Sequence, residues 1–311
     1  MTRAVVFAYH NVGVRCLRVL LAHGVDVPLV VTHDDKPGEQ IWFASVAETA
    51  AEHDIPTVAP TDPNTADFVR SVVSVSPDFI FSFYYRILLK PSLLALPYRG
   101  ALNMHGSLLP RYRGRAPVNW AVLFGERETG ATLHYMTEKP DAGAIVAQTA
   151  VPILPDDTAR EVFDKVTVAA EITLDRALPA LLAGTAPRIA QNLAQGSYYG
   201  GRTAADGTID WSRDASTIHN LVRAVAPPYP GAFTAVGGRS ARVLRTRVAD
   251  PATPRTQAPT IEARDGRLLA HCGGGGTLEV LVLEVDGDMI APAAFTERFG
   301  AASVVVGGGS P

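Results

Sequence analysis

The chain has 311 residues, 47% of them apolar and 19% charged, with a formal net charge of −3. That apolar content supports a sizeable core, and the length accommodates two domains better than one. The slightly acidic balance lacks the electrostatic footprint of a DNA- or RNA-binding protein. Two isolated cysteines, Cys16 and Cys272, argue against a disulfide framework or a thiolate metal site.

The opening apolar run, 1–9, is too short for a signal peptide and reads as a strand. No segment approaches the roughly 20 apolar residues that cross a bilayer, so the expected compartment is the reducing cytoplasm. Residues 12–23 place Val14, Leu17, Leu20 and Leu21 at helical spacing and close on Gly24. A strand is expected at 27–32, a break at Lys36-Pro37-Gly38, a helix at 41–52, a short strand at 57–59 and a helix at 66–75. Strands at 78–83 and 101–105 complete an alternation that implies a parallel sheet covered on both faces. Runs 130–136 and 144–153 read as an antiparallel addition at its edge. A long helix follows, with Thr158 and Glu161 as a capping box; it runs to about Leu182, with Pro179 kinking or ending its regular part.

The texture changes near Gly200. After a short helix at 217–225, β-like runs at 232–236, 241–248, 267–272 and 277–285 are punctuated by Gly and Pro. The expected architecture is α/β: a Rossmann-like domain over 1–200, a small OB-like β-barrel over 201–304, and a flexible tail over 305–311.

The most informative stretch is Asn103-Met104-His105-Gly106-Ser107-Leu108-Leu109-Pro110. Asn103 and His105 are two apart, so on an extended strand their side chains face the same way. They stand at the carboxyl end of an expected parallel strand, where open α/β sheets place ligands. Asp141, on a turn between two strands, can return to the same spot. Acyl transfer to an amine needs a donor for the developing oxyanion, worth roughly 3 kcal/mol. It also needs a base for the amine proton, worth about 10²–10⁴-fold. An Asn amide, a His and an Asp supply these; a carboxylate beside an imidazole also fixes its tautomer. Taken singly, Asn-x-His is as consistent with a turn amide and a satisfied histidine, and Asp141 with an Asx turn.

The run from Asn103 through Arg111-Tyr112-Arg113-Gly114-Arg115-Ala116-Pro117, with Asp141-Ala142-Gly143 downstream, resembles the signature of the folate-dependent formyltransferases. The resemblance implies Asn103, His105 and Asp141 as the catalytic set and N10-formyltetrahydrofolate as co-substrate. Phe7-Ala8-Tyr9-His10, Thr32-His33-Asp34, Phe81-Ser82-Phe83-Tyr84-Tyr85-Arg86 and Pro230-Gly231-Ala232-Phe233 resemble one branch. That branch is the formyltransferase half of the bifunctional enzymes of polymyxin resistance, which also carry a UDP-glucuronate decarboxylase half. It implies UDP-4-amino-4-deoxy-L-arabinose, a lipid A modification precursor, as acceptor. The chain ends before any dinucleotide-dependent half, so formylation alone is expected.

The resemblance assigns donor contacts to the backbone of Ile87, Leu88 and Leu89, where the family often has a His at the first position. It adds Arg115, Thr137, Glu138, Lys139 and Pro140. For the sugar nucleotide the candidates are Tyr9, His10, Tyr199, Arg202 and Arg223, with Tyr199 or Trp211 stacking on uracil. The same residues read equally as surface charges and core aromatics, and His10 as a ligand contact or a solvent-exposed turn residue. Lys36-Pro37-Gly38 would line the mouth. There is no Gly-x-Gly-x-x-Gly fingerprint, and His33-Asp34-Asp35 reads as a solvated loop, so no metal is assigned. The expected partners are a folate and a sugar nucleotide, with neither nucleic acid nor membrane insertion; a homodimer is compatible. The alternatives are a formyltransferase for a dTDP- or GDP-linked aminosugar, a methionyl-tRNA formyltransferase, and a non-catalytic folate- or nucleotide-binding regulator. The 34–42 loop, with three acids and one base, weighs against tRNA.

Overall fold

The computed structural model describes residues 1–35, 38 and 41–307. Two compact units divide the chain. Unit 1 comprises Met1–Pro117, Glu128–Val151 and Phe163–Gly200; unit 2 comprises Val118–Arg127, Pro152–Val162 and Gly201–Pro311. The change of texture at Gly200 coincides with the last boundary, but two earlier segments also belong to unit 2.

Unit 1 is built on β1 (Arg3–Ala8), β2 (Asp26–Val31), β3 (Thr57–Val58), β4 (Phe79–Phe83), β5 (Gly100–His105), β7 (Glu128–Tyr135) and β8 (Ile145–Pro152). Their order in the sheet is β3-β2-β1-β4-β5-β7-β8. The first five strands pair in parallel, and β7 joins β5 antiparallel. All of β4 and most of β1 are buried, as a sheet covered on both faces requires. The helices are α1 (His10–Ala22), α2 (Val46–Ala51), α3 (Ala66–Ser74) and the short α4 (Pro91–Leu94). The order in which strands are added reverses between β1 and β4, and the Tyr9 N–H donates to the Phe83 carbonyl at this switch point, at 3.0 Å. A two-stranded ribbon, β6 (Arg113–Gly114) and β9 (Tyr198–Tyr199), lies apart from the main sheet.

Helix α5 (Pro117–Leu123) leads into unit 2, whose sheet contains β10 (Ala232–Val236), β11 (Arg239–Asp250), β12 (Thr260–Arg264), β13 (Arg267–His271), β14 (Thr277–Val285), β15 (Asp288–Met289) and β16 (Ser303–Val305). Its main path is β10-β11-β14-β13-β12-β16. The two ends meet through Val236 and Val306. There Gly237 N–H donates to the Val305 carbonyl and Gly307 N–H to the Ala235 carbonyl, each at 3.0 Å. The curled sheet is thus drawn shut, which protects its edges. Helices α7 (Ala215–Val225) and α8 (Pro292–Phe299) supply Ile218, Val222 and Phe295 to its core.

Four local expectations need correction. The 41–52 helix begins only after Ser45, whose hydroxyl accepts the Glu48 N–H; Trp42 and Phe43 pack instead in an aromatic cluster. The long helix, α6 (Ala159–Ala183), has its capping box but runs through Pro179. Arg99 donates to its last carbonyls, Leu181 at 2.6 Å and Leu182 at 2.7 Å, and Gly184 at φ 75° turns the chain away. Val305 ends β16 and Val306 bridges Val236, so these two residues are not part of a tail. Strand β12 and helix α8 arise where no element was expected, because a barrel made of short segments shows weak periodicity. Lys36, Pro37 and the residues after Gly307 lie outside those described.

Leu102, fully buried in β5 beside Asn103, anchors the strand that carries the candidate centre. Leu102→Ala is expected to cost roughly 2–5 kcal/mol by urea unfolding. A loss well under 1 kcal/mol would mean that the surrounding core collapses into the gap.

Candidate active site

Strand β5 presents Asn103 and His105 on one side, as their spacing predicts, and β7 lies against it with His134 directly opposite Asn103. His134 is 1% exposed. Its Nδ1 lies 2.9 Å from the Tyr135 carbonyl, which accepts only from an N–H, so the neutral ring carries its proton there. Nε2 is then an acceptor, and the Asn103 amide donates to it at 3.1 Å. This consumes one Asn103 N–H, fixes which way the amide points, and leaves its second N–H for a ligand.

The same reasoning fixes His105, whose Nε2–H donates to the Tyr112 carbonyl at 2.8 Å. The basic position is therefore Nδ1, which stands 3.6 Å from Asp141 Oδ1. That oxygen is also 3.6 Å from His134 Nε2, and the other, Oδ2, accepts the Gly114 N–H at 2.8 Å. Burial alone would raise the Asp141 carboxyl. In their protonated forms His105 and His134, together with the Gly114 N–H, outweigh it and hold the group well below the usual carboxylate range. A proton taken up at His105 Nδ1 would thus form a cation beside a fixed anion.

The loop after His105 is pinned from several sides. Thr132 Oγ1 donates to the Ser107 carbonyl at 2.6 Å and accepts the Leu109 N–H at 3.1 Å, and Gln148 donates to both Thr132 Oγ1 and the Leu109 carbonyl. Ser107 Oγ, fully buried, donates to the Arg111 carbonyl at 2.6 Å. Gly106 faces Tyr84, itself in the left-handed region at φ 58°; a Cβ at Gly106 would overlap the Tyr84 hydroxyl.

Residues 15–178 match the family described as formyl transferase, and residues 202–300 match the formyl transferase C-terminal domain. The chain belongs to the formyl transferase family. An N-formyltransferase from Helicobacter canadensis, in complex with folinic acid and dTDP-3-aminofucose, has a TM-score of 0.71 and 19% identity to this formyl transferase, covering 90% of this chain and 99% of its own. WlaRD, a sugar 3N-formyl transferase solved with dTDP and 5-N-formyl-THF, gives 0.70 and 18% over 93% and 99%. HypX from Aquifex aeolicus, in complex with tetrahydrofolic acid, gives 0.62 and 17% over 96% of this chain but 47% of its own. At such identities the likeness speaks for the fold.

The remaining candidates fall into distinct settings. Arg86 N–H donates to His33 Nε2 at 3.0 Å, and Asn64 both donates to the Leu88 carbonyl at 3.1 Å and accepts the Lys90 N–H at 2.7 Å. The Leu88 carbonyl is thereby engaged, and the Leu89 side chain is buried in the core. Thr137, Glu138 and Lys139 are exposed, Pro140 is half-buried, and Arg115 is exposed with its N–H donating to the Tyr199 carbonyl at 3.0 Å. His10 is not a solvent-exposed turn residue: it stacks on Phe43 at 3.9 Å and meets Trp42 and Phe163 edge-on. Tyr9 donates to Asp35 at 2.7 Å, and Tyr199 stacks on Tyr112 at 5.6 Å.

Three expectations about the nucleotide shift. Trp211 is a core residue, 4% exposed, whose Nε1–H donates to Thr234 Oγ1 at 2.7 Å, so it cannot stack on uracil. Within unit 2, Arg223 is buried and donates to Asn220 and to the Asp157 carbonyl. Arg202 lies over the Trp120 ring and donates to the Asp206 carbonyl. Sequence reasoning missed His134, Tyr84 and Gly114. A histidine on an alternating buried strand was the available signal for the first. Among the described residues no group of three or more His, Cys, Asp or Glu is placed to hold a metal ion, and no helix is long and apolar enough to cross a membrane.

The low Asp141 pKa has a sign that can be checked. Its stabilisation is complete above the unfolded value of roughly 3.9 and disappears as pH falls through the folded value. The melting advantage of the wild type over Asp141→Asn should therefore be level at about pH 5–6 and narrow below about pH 4. An advantage that grew on acidification would mean a carboxyl protonated in the folded chain. Gly106→Ala is expected to destabilise by about 1–3 kcal/mol, with part regained in Gly106→Ala/Tyr84→Ala. An unchanged melting temperature in the single variant would show that Tyr84 can move aside.

Proposed function

We propose that this formyl transferase moves the formyl group of N10-formyltetrahydrofolate onto the 4-amine of UDP-4-amino-4-deoxy-L-arabinose. The observation that carries the proposal is the convergence of Asn103, His105 and Asp141 through hydrogen-bonded rings of defined tautomer. Support for the donor comes from structural neighbours solved with folinic acid, 5-N-formyl-THF and tetrahydrofolic acid. A neighbour holding dTDP-3-aminofucose supports an aminosugar nucleotide as acceptor class, and the sequence branch supports the arabinose derivative.

In this reading the amine nitrogen attacks the formyl carbon, and the oxyanion that develops meets the free N–H of Asn103. His105 Nδ1 accepts the proton that the amine loses, and Asp141 stabilises the resulting imidazolium. The bond from the formyl carbon to N10 then breaks, and N10 receives that proton. The products are the formamide and tetrahydrofolate. The backbone of Ile87, Leu88 and Leu89, with Arg115, Thr137, Glu138, Lys139 and Pro140, holds the folate, and Tyr9, His10 and Tyr199 contact the sugar nucleotide. Arg202 and Arg223, engaged locally in unit 2, are left out of this assignment.

His105→Ala should lower kcat at least about 10²-fold with KM changed only a few-fold, and Asn103→Ala should cost on the order of 3 kcal/mol in kcat/KM. A normal rate for His105→Ala would remove it from the chemistry. The substrate is tested by incubating the protein with N10-formyltetrahydrofolate and a panel of UDP-, dTDP- and GDP-linked aminosugars plus initiator tRNA, following the mass gain of one formyl group. Formylation of a dTDP- or GDP-sugar in preference to the UDP-arabinose would replace the acceptor, and formylation of tRNA alone would overturn the sugar reading.

A further inference from the structure

We propose that Gln191 is a positioning residue for the acid–base centre, holding the turn that carries Asp141; this rests on the reading of Asp141 as part of that centre. The segment after α6 returns along the start of β8, where Ile189 and Ile145 exchange N–H···O=C bonds at 2.8 and 2.9 Å. Continued antiparallel, that register sets Gln191 opposite Gly143. The backbone ladder stops there, because Asp141-Ala142-Gly143 is a turn with Asp141 in the left-handed region at φ 54°. The Gln191 amide takes the ladder's place. Its Nε2 donates one hydrogen to the Asp141 carbonyl at 3.0 Å and the other to the Gly143 carbonyl at 2.6 Å.

The amide orientation follows from these two acceptors. Reversed, Oε1 would face both carbonyls. As it stands, Oε1 is buried without a hydrogen-bond partner among the described residues, an arrangement that native proteins seldom retain. The turn has little freedom on its other side, since a Cβ at Gly143 would overlap the Tyr135 carbonyl.

Beyond Gln191 the same segment reaches the second loop of the centre. Asn192 Oδ1 accepts the Ala194 N–H, and the chain then runs beside 110–115. Ser197 N–H donates to the Pro110 carbonyl at 3.2 Å, its Oγ accepts the Tyr112 N–H at 2.8 Å, and its carbonyl accepts the Arg113 N–H at 3.0 Å. Tyr112 supplies the carbonyl that fixes His105, and Gly114 supplies the N–H that holds Asp141. One strap, 189–199, therefore ties down both the turn that carries the carboxylate and the loop that aims it. Gln191 grips the turn through its side chain, so its substitution tests the strap while leaving the backbone path intact.

The experiment compares wild type, Asp141→Asn, Gln191→Met and Gln191→Lys, with N10-formyltetrahydrofolate and the panel aminosugar nucleotide turned over fastest. Met keeps the length of Gln without its donors, and Lys restores donors without the orphaned acceptor. Gln191→Met should lose about 10–100-fold in kcat, with both KM values within about threefold, and shift the pH profile in the same direction as Asp141→Asn. Gln191→Lys should recover to within about fivefold of wild-type kcat, which a merely structural loss would not allow. A Met variant with wild-type kcat and an unmoved profile overturns the proposal while the reading of Asp141 stands, provided Asp141→Asn is impaired. Should Asp141→Asn leave rate and profile unchanged, that reading falls and the proposal with it. If Gln191→Met does not fold, Gln191→Lys decides: near-wild-type kcat supports donation to the two carbonyls, and a kcat as low as that of Asp141→Asn overturns it.

Discussion

A carboxylate that keeps its charge while largely removed from water is the constraint on which the centre depends. Asp141 meets it with two imidazoles and one backbone N–H, and none of these is independently placed. His105 faces it with Nδ1 only because the Tyr112 carbonyl holds Nε2–H on the opposite side of the ring. Gly114 donates to it only because β6 pairs with β9. Each of these partners belongs to a different stretch of chain. The charge on Asp141 therefore couples β5, β7, the 106–115 loop and the returning segment after α6 into one electrostatic unit.

The sheet explains why such a unit can be assembled at all. A parallel sheet places its strand ends together, which puts Tyr9, Tyr84 and His105 at one edge of β1, β4 and β5. A purely parallel sheet would offer loops alone to face Asn103. The antiparallel entry of β7 instead lays a full strand beside β5, so His134 opposes Asn103 in register and the chain beyond β7 folds back with Asp141. The edge addition thus supplies half of the polar contacts, and the parallel core supplies the rigidity.

How far this was legible in the sequence depended on the range of the interaction. The two-residue spacing of Asn103 and His105 on a strand end is local, and it survived intact. Elements with strong periodicity, such as β4, β10 and β14, could be placed closely for the same reason. The short barrel elements β12, β16 and α8 are stabilised by closure of the sheet, a non-local term that leaves little periodic signal. The partner of Asn103 was illegible because strand register across β5 and β7 is set in three dimensions; His134 carries no spacing relation to Asn103 along the chain. Trp211 misled in the opposite sense. An aromatic near the start of a new domain looks available for a base, yet its indole N–H finds Thr234 inside the barrel and the ring closes the core.

The same geometry bears on the path of the proposed reaction. A covalent route would need a side-chain nucleophile beside His105. The candidates among the described residues are engaged otherwise: Ser107 is fully buried and donates to the Arg111 carbonyl, and the Cys272 thiol, in unit 2, is pushed up to about 12 by burial. Cys16, buried within α1, is raised further still. A thiol in that state stays protonated and is a poor nucleophile. What remains in the centre is one amide N–H, one basic ring nitrogen and one carboxylate, which the proposed reaction uses as oxyanion donor, base and charge partner. In that proposed reaction the amine attacks the formyl group directly, with both substrates present at once. The fixed tautomer of His105 has most value in such a transfer, because a single pre-aimed nitrogen can take the proton from one substrate and return it to the other without rotation of the ring.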